Sequence, residues 1–228
     1  MQIDILTLFP GMFKGPLSES IIKIAQKKGK LKIKLHNLRK WTSDRHRTAD
    51  DKPFGGGGGM VIKVEPVYWA LKEIAEIRKK GLKIILLTPQ GKRFDQKVVK
   101  RLSKLKRLVL ICGHYEGVDE RIRKLVDEEI SIGDYILSCG EMPACVIVDS
   151  VTRLLPGVLG NPKSSNIETF ENNLLEYPQY TRPRVFEGVK VPKVLLGGNH
   201  NDIENWRRER ALKRTKKKRP DLYRRRNG

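Results

Sequence analysis

LKIILLTPQGKRFDQKVVKRLSKLKRLVLICGHYEG, residues 82–117, decides the fold. It holds two near-continuous apolar runs, LKIILLT (82–88) and RLVLIC (107–112), separated by the helical pattern DQKVVKRLSKL. A strand with one wet face alternates apolar and polar residues, whereas a strand covered on both faces is apolar throughout. Two such runs joined by a helix are therefore predicted to lie parallel in one sheet, with helices on both of its faces. The alternation continues outward. IDILTLF (3–9) reads as a strand, PLSESIIKIAQKKG as a helix stopped at Gly29, and LKIKLHNL (31–38) as a strand with Leu31, Ile33 and Leu35 on one face. MVIKV (60–64) is a short strand, and Pro66 opens a helix whose Val67, Ala70, Leu71, Ile74 and Ile77 form one stripe. ISIGDYILSCGE (130–141) and a further apolar helix, MPACVIVDSVTRLLPG (142–157), complete an α/β domain with a parallel sheet.

Beyond residue 157 the character changes. Residues 158–185 are rich in Pro, Asn, Ser and aromatic residues with little periodicity, and read as a linker. A smaller unit follows from 186 to 228, with the apolar stretch VPKVLL and a long helix from about Asn201.

Charge points to the partner. The 228 residues carry 47 Lys and Arg against 26 Asp and Glu, a net charge of +21, and such an excess favours a polyanion. Residues 207–226, RRERALKRTKKKRPDLYRRR, hold twelve basic and two acidic residues, so +10 of the charge sits there. The run has no accompanying amphipathic face with exposed Trp or Phe, which favours nucleic acid over a membrane surface. No apolar run approaches the roughly 18 residues that span a bilayer. The first residues, MQIDILTLFP, read as a strand and not as a signal peptide, so a cytoplasmic location is expected. Cys112, Cys139 and Cys145 lack CxxC spacing and read as free, mostly buried thiols.

Several familiar chemistries fail on spacing. GGGGGM (55–60) lacks the Gly-Lys-Ser/Thr ending of a phosphate loop. His114-Tyr115-Glu116 has the H-x-E of zinc deaminases, but no Pro-Cys-x-x-Cys accompanies it, and the histidines at 36, 46, 114 and 200 show no paired-ligand spacing. Ser150 lacks a nucleophile elbow. What remains is positional. TPQGKRF, CGHYEGVDER and ISIGDYILSCGE each end a strand, and ligands of open parallel sheets bind outside the carboxyl ends of the strands. Gly133, Asp134 and Gly140 interrupt an apolar run at points that strand interiors avoid, and the position of the segment makes it a pocket wall at the end of the sheet.

The strings DRHRTADDKPFGGGGGM, LLTPQG, LICGHYEGVDERI, ISIGDYILSCGEMPACVIVDSVTRLLPGVLG and YPQYTRPRVFEG together resemble the bacterial tRNA (guanine-N1)-methyltransferases of the SPOUT superfamily. The resemblance covers nearly the whole chain. It implies a deep trefoil knot in residues 1–157, an S-adenosylmethionine-binding catalytic domain, then the linker 158–185 and a mainly helical tRNA-binding domain, 186–228. It also implies a homodimer with its active site at the interface. The cofactor pocket would use Pro89, Gly113, Tyr115 and Glu116, with Ile132, Gly133, Asp134, Tyr135, Ile136, Leu137 and Gly140 from the 130–141 segment. A positive sulfonium prefers a site without extra cations, and residues 125–152 contain no Lys or Arg.

For the RNA, the resemblance implies methylation of the guanosine just 3′ of the anticodon, position 37. Guanine N1 carries a proton, so transfer needs a base to remove it and a cation to stabilise charge on O6. By family position the cation is Arg153 and the base is Glu168, where the family usually has aspartate. Asp50 would help hold the target base, and His46 and Arg45 would contact RNA. Cys139 stands where glycine is usual. Magnesium is linked to the family, and Glu116 and Glu168 are the carboxylates that could serve it. The alternatives are a non-catalytic RNA-binding protein on the same scaffold and a SPOUT enzyme acting on ribosomal RNA.

Overall fold

The computed structural model describes residues 1–74, 81–159, 169–170 and 173–227. The chain divides into two compact units, Met1–Gly160 and Asn161–Gly228. In the first unit the elements run β1 (Gln2–Thr7), α1 (Ser20–Lys27), β2 (Lys32–Asn37), β3 (Asp50–Asp51), β4 (Val61–Ile62), α2 (Val64–Ile74), β5 (Leu82–Arg93), α3 (Gln96–Leu102), β6 (Arg107–Cys112), β7 (Glu128–Ser131) and α4 (Glu141–Arg153). Five strands form one sheet in the order β2, β1, β6, β5, β7, and every neighbouring pair is parallel.

The apolar runs have the predicted cause. Ile3, Ile5, Ile85, Leu87, Leu108 and Leu110 pack with buried residues of α1, α3 and α4, such as Ile22, Val99 and Ile147. Leu6, Ile84, Leu86, Val109 and Ile111 point to the other face and pack with Val67, Ala70 and Leu71 of α2 and with Leu38 and Ile122. Each central strand is thus apolar on both sides because both sides are covered, and a fully buried Leu or Ile contributes about 1.5–3 kcal/mol. At the edge strand β2 the prediction weakens: Leu31 is buried, but Leu35 is 39% exposed. Within this apolar frame Asp4 is 0% exposed and joins three elements. It accepts hydrogen bonds from Arg107 Nε and Gln2 Nε2 and contacts His36 Nε2, each at 2.8 Å. Burial alone would raise its pKa, but the His36, Arg107 and Gln2 contacts outweigh it and hold the carboxyl below the usual range.

Two predicted boundaries of the sheet move. β5 does not stop at Thr88 but runs to Arg93, because Leu87 and then Lys92 both pair with Ile130 and the residues between are looped out. That bulge is a consequence of TPQG, where Pro89 has no N–H to donate to a ladder. In the 130–141 segment only Ile130 and Ser131 belong to a strand, and α4 already starts at Glu141.

The second unit contains a hairpin that the sequence did not announce, β8 (Val185–Phe186) with β9 (Val189–Lys190). It also holds α5 (His200–Lys218) and α6 (Pro220–Asn227). Pro220, as the first residue of α6, ends the predicted single long helix at Arg219. Residues 173–177 are fastened to α5: Leu175 N–H donates to Thr215 Oγ1 at 2.9 Å and Arg214 Nη1 to the Glu176 carbonyl at 3.0 Å. The Arg207 guanidinium lies 4.8 Å from the Tyr177 ring centre.

Candidate active site

A cavity of about 590 Å³ opens outside the carboxyl ends of β5, β6 and β7. Its walls come mainly from three segments: Leu86 to Gln90 leading into the bulge of β5, Gly113 to Val118 after β6, and Ile130 to Gly140 at and after the end of β7. The last of these returns across the sheet. From β7, which pairs with β5, the chain comes back to the loop after β6, where Gly140 N–H donates to the Gly113 carbonyl at 2.7 Å and His114 bridges to Cys139.

This return explains Gly140 in a way its sequence context does not. A Cβ on Gly140 would lie 2.7 Å from Gly113 N and 2.8 Å from Cys112 Cα, so the chain's own backbone occupies the space. A Cβ on Gly133 would meet the Tyr135 ring at 2.4 Å. Close approach is real at both positions. At Gly140 the neighbour that excludes a side chain is the chain's own backbone, whereas at Gly133 it is the ring of Tyr135, a side chain that is itself exposed.

Of the residues expected to bind a cofactor, Pro89, Gly113, Tyr115, Glu116, Ile132, Gly133, Tyr135, Ile136, Leu137 and Gly140 line the cavity, and Asp134 does not. Asp50 reaches Tyr115: burial first, then the charge and hydrogen bond of Asp50, push the Tyr115 phenol above its usual range. Arg45 and His46 are exposed in the turn before β3, where Asp44 accepts from Thr48 N–H at 3.0 Å and Thr48 Oγ1 at 2.7 Å. Arg153 is the last residue of α4, ten residues beyond Pro143, which lines the cavity. At 1.5 Å per residue this is about 15 Å along the helix, and Arg153 is not among the residues that line the cavity. Glu168 lies outside the described residues.

The cavity also contains groups that sequence reasoning passed over. Arg123 donates to Glu120 at 2.8 Å, to Gln90 Oε1 at 2.5 Å and to Glu129, so the guanidinium on this wall is matched by carboxylates. Behind the wall formed by His114 and Cys139, and not itself lining the cavity, lies Glu141, 0% exposed, with Thr7 Oγ1 donating to its Oε1 at 2.5 Å. His114 Nδ1 lies 3.8 Å from Glu141 Oε2, and His114 and Cys139 share this corner. The available signal was a glutamate at the first position of a helix whose buried side is mostly apolar, with Ala144, Ile147, Val148 and Val151. The cysteines are free thiols: burial pushes Cys112 well above its usual range and Cys145 up to about 11. Among the described residues no helix is long and apolar enough to cross a membrane.

The model of the tRNA (Guanine-1)-methyltransferase TrmD family matches residues 1–225. A tRNA (guanine-N(1)-)-methyltransferase of Dictyoglomus turgidum is 57% identical over 222 residues, 97% of this chain and 89% of that protein. The proteins of the same description from Geobacillus kaustophilus and Chloroflexus aggregans are 57% and 54% identical over 223 residues. These cover 97% of this chain and 91% and 87% of their own lengths.

Proposed function

The chain belongs to the tRNA (guanine-1)-methyltransferase family, and from that premise we propose how its residues carry the reaction. Its activity is methyl transfer to N1 of guanine in tRNA. Enzymes of this family draw the methyl group from S-adenosylmethionine, which supplies an electrophilic methyl carbon when bound. The cavity at the ends of β5, β6 and β7 is our assignment for it. The observation that carries the assignment is the convergence of ten expected residues, from three separate segments, on one cavity. Its volume falls in the range of small-molecule sites, about 300–1,000 Å³. Ile132, Ile136, Leu137, Pro89 and Pro143 provide apolar wall, and the paired state of Arg123 suits a cationic ligand.

The target is the guanosine 3′ of the anticodon. Glu168 removes the N1 proton, and Arg153 stabilises the negative charge that moves to O6 as the proton leaves. Asp50, beside Tyr115 at the cavity, accepts hydrogen bonds from the target base, and Arg45 and His46 meet the RNA backbone. The separation of Arg153 from the cavity on one chain supports a homodimer in which Arg153 of one copy completes the site of the other. The return of the 132–140 segment from β7 across to β6 supports the trefoil knot. The basic α5 and α6, with +10 in residues 207–226, hold the tRNA, and the enzyme works in the cytoplasm. Magnesium, if used, meets Glu116 and Glu168.

The test is methyl transfer to two tRNA transcripts, one with guanosine next to the anticodon and one with adenosine there. The first is expected to be methylated and the second not. Equal methylation of both would refute the position.

A further inference from the structure

His114, Cys139 and Glu141 hold their ligating atoms within 4.8 Å of one another, although their sequence spacing matches no metal motif. The corner they form has an unmet demand. Glu141 is 0% exposed, and its Oε2 and the His114 Nδ1 are buried with no hydrogen-bond partner among the described residues. Each such atom costs about 1–3 kcal/mol if nothing satisfies it. The 3.8 Å between them is too long for a hydrogen bond. It is close to the roughly 3.4 Å that separates two ligands of a tetrahedral zinc with bonds of about 2.1 Å.

The surroundings hold these groups in that orientation. Thr7 Oγ1 donates to Glu141 Oε1, which leaves Oε2 turned toward His114, and Phe9 N–H in turn donates to Thr7 Oγ1 at 2.8 Å. The His114 ring is set between Phe9 and Tyr115, with centroids 4.6 and 4.3 Å away. Supported ligands of this kind are what distinguishes a metal site from a chance cluster.

We propose that His114 Nδ1, Cys139 Sγ and Glu141 Oε2 form a site for one zinc-class divalent ion, whose fourth position opens into the cavity that His114 and Cys139 line. Binding forms a sulfur–metal bond and releases the Cys139 thiol proton to solvent, so affinity rises with pH. A thiolate and an imidazole select zinc or cobalt over magnesium, which takes oxygen ligands. The ion ties the loop after β6 to the entry of α4, two walls of one cavity. The site does not depend on the assignment of that cavity to S-adenosylmethionine.

The experiment uses the full chain stripped with a chelator and titrated with cobalt(II). One equivalent is expected to give a thiolate-to-cobalt charge-transfer band with tetrahedral visible bands, removed by zinc and unaffected by magnesium. Cys139→Ala abolishes the charge-transfer band while Cys145→Ala keeps it, and Thr7→Val weakens affinity by about 10–100-fold. Equal melting curves of the stripped wild type and Cys139→Ala show that the variant folds. If Cys139→Ala does not fold, loss of the tetrahedral bands in His114→Gln decides. No band in the wild type, or a charge-transfer band that survives in folded Cys139→Ala, overturns the site.

Discussion

Replacing Thr215 with valine removes one hydroxyl and almost no volume, at a residue that is 0% exposed. That hydroxyl donates to the Ala211 carbonyl at 2.7 Å and accepts from Leu175 N–H at 2.9 Å. The helix tolerates the change, since valine and threonine have similar helix propensities and the Ala211 carbonyl already belongs to the helix ladder. The cost therefore falls on Leu175, whose amide loses its partner. An unsatisfied buried donor costs about 1–3 kcal/mol, and because Leu175 is only half-buried the lower part, about 1–2 kcal/mol, applies. That corresponds to roughly 5–30-fold in a local opening equilibrium. Amide hydrogen exchange at Leu175 should speed up by this factor in Thr215→Val and stay near wild type in Thr215→Ser, while amides in the middle of α5 keep their protection. Residues 173–177 directly follow the stretch that contains the proposed base Glu168, so kcat for methyl transfer should fall with that protection. Unchanged exchange at Leu175 in the valine variant, or equal loss in the serine variant, would refute the reasoning.

Two further outcomes follow. Glu168→Ala should abolish turnover with S-adenosylmethionine affinity intact and Glu168→Asp should retain activity, whereas Arg153→Ala should lower kcat by about 10²–10³, or 2.7–4 kcal/mol, as for an oxyanion donor; normal turnover in either alanine variant moves that role elsewhere. Asp4 has a depressed folded pKa, so its contribution to stability is present above the unfolded value, about 3.9, and is lost as pH falls through the folded one. Asp4→Asn should thus cost about 3 kcal/mol at neutral pH, the low end for a broken buried pair because Arg107 and His36 are partly exposed, and the gap to wild type in urea midpoints should close below pH ~3.9. A gap that stays constant from neutral to acid pH would show that the charge of Asp4 does not stabilise the sheet.

The sheet was legible because its signal is local. LKIILLT and RLVLIC are apolar at every position, and only strands covered on both faces need that, so parallel order and flanking helices followed from composition alone. The ends of elements were less legible because they depend on partners far away in the chain. Whether β5 stops at Thr88 is decided by Ile130, which pairs with both Leu87 and Lys92. The end of the last helix was the exception, where Pro220 carries the information itself. The hairpin at 185–190 has two residues per strand, too few for any period to show.

The site was legible as a place and only partly as chemistry. Three strand-ending loops pointed to one crevice, and they do meet there. The groups at and behind this wall of the crevice escaped because their spacing carries no pattern: His114 lies after β6, Thr7 ends β1, and Cys139 and Glu141 flank the glycine that precedes α4. Gly140 is what links them. Its missing side chain lets the backbone press against Cys112 and Gly113, and that contact sets the residues before and after it on the same corner as His114. Any larger residue at 140 would have to push the entry of α4 away from β6, which would separate Glu141 from Thr7 and His114 and displace the Cys139 wall at the same time. The glycine thus determines the shape of this cavity wall through the chain's own packing, and the polar cluster is a consequence of that packing.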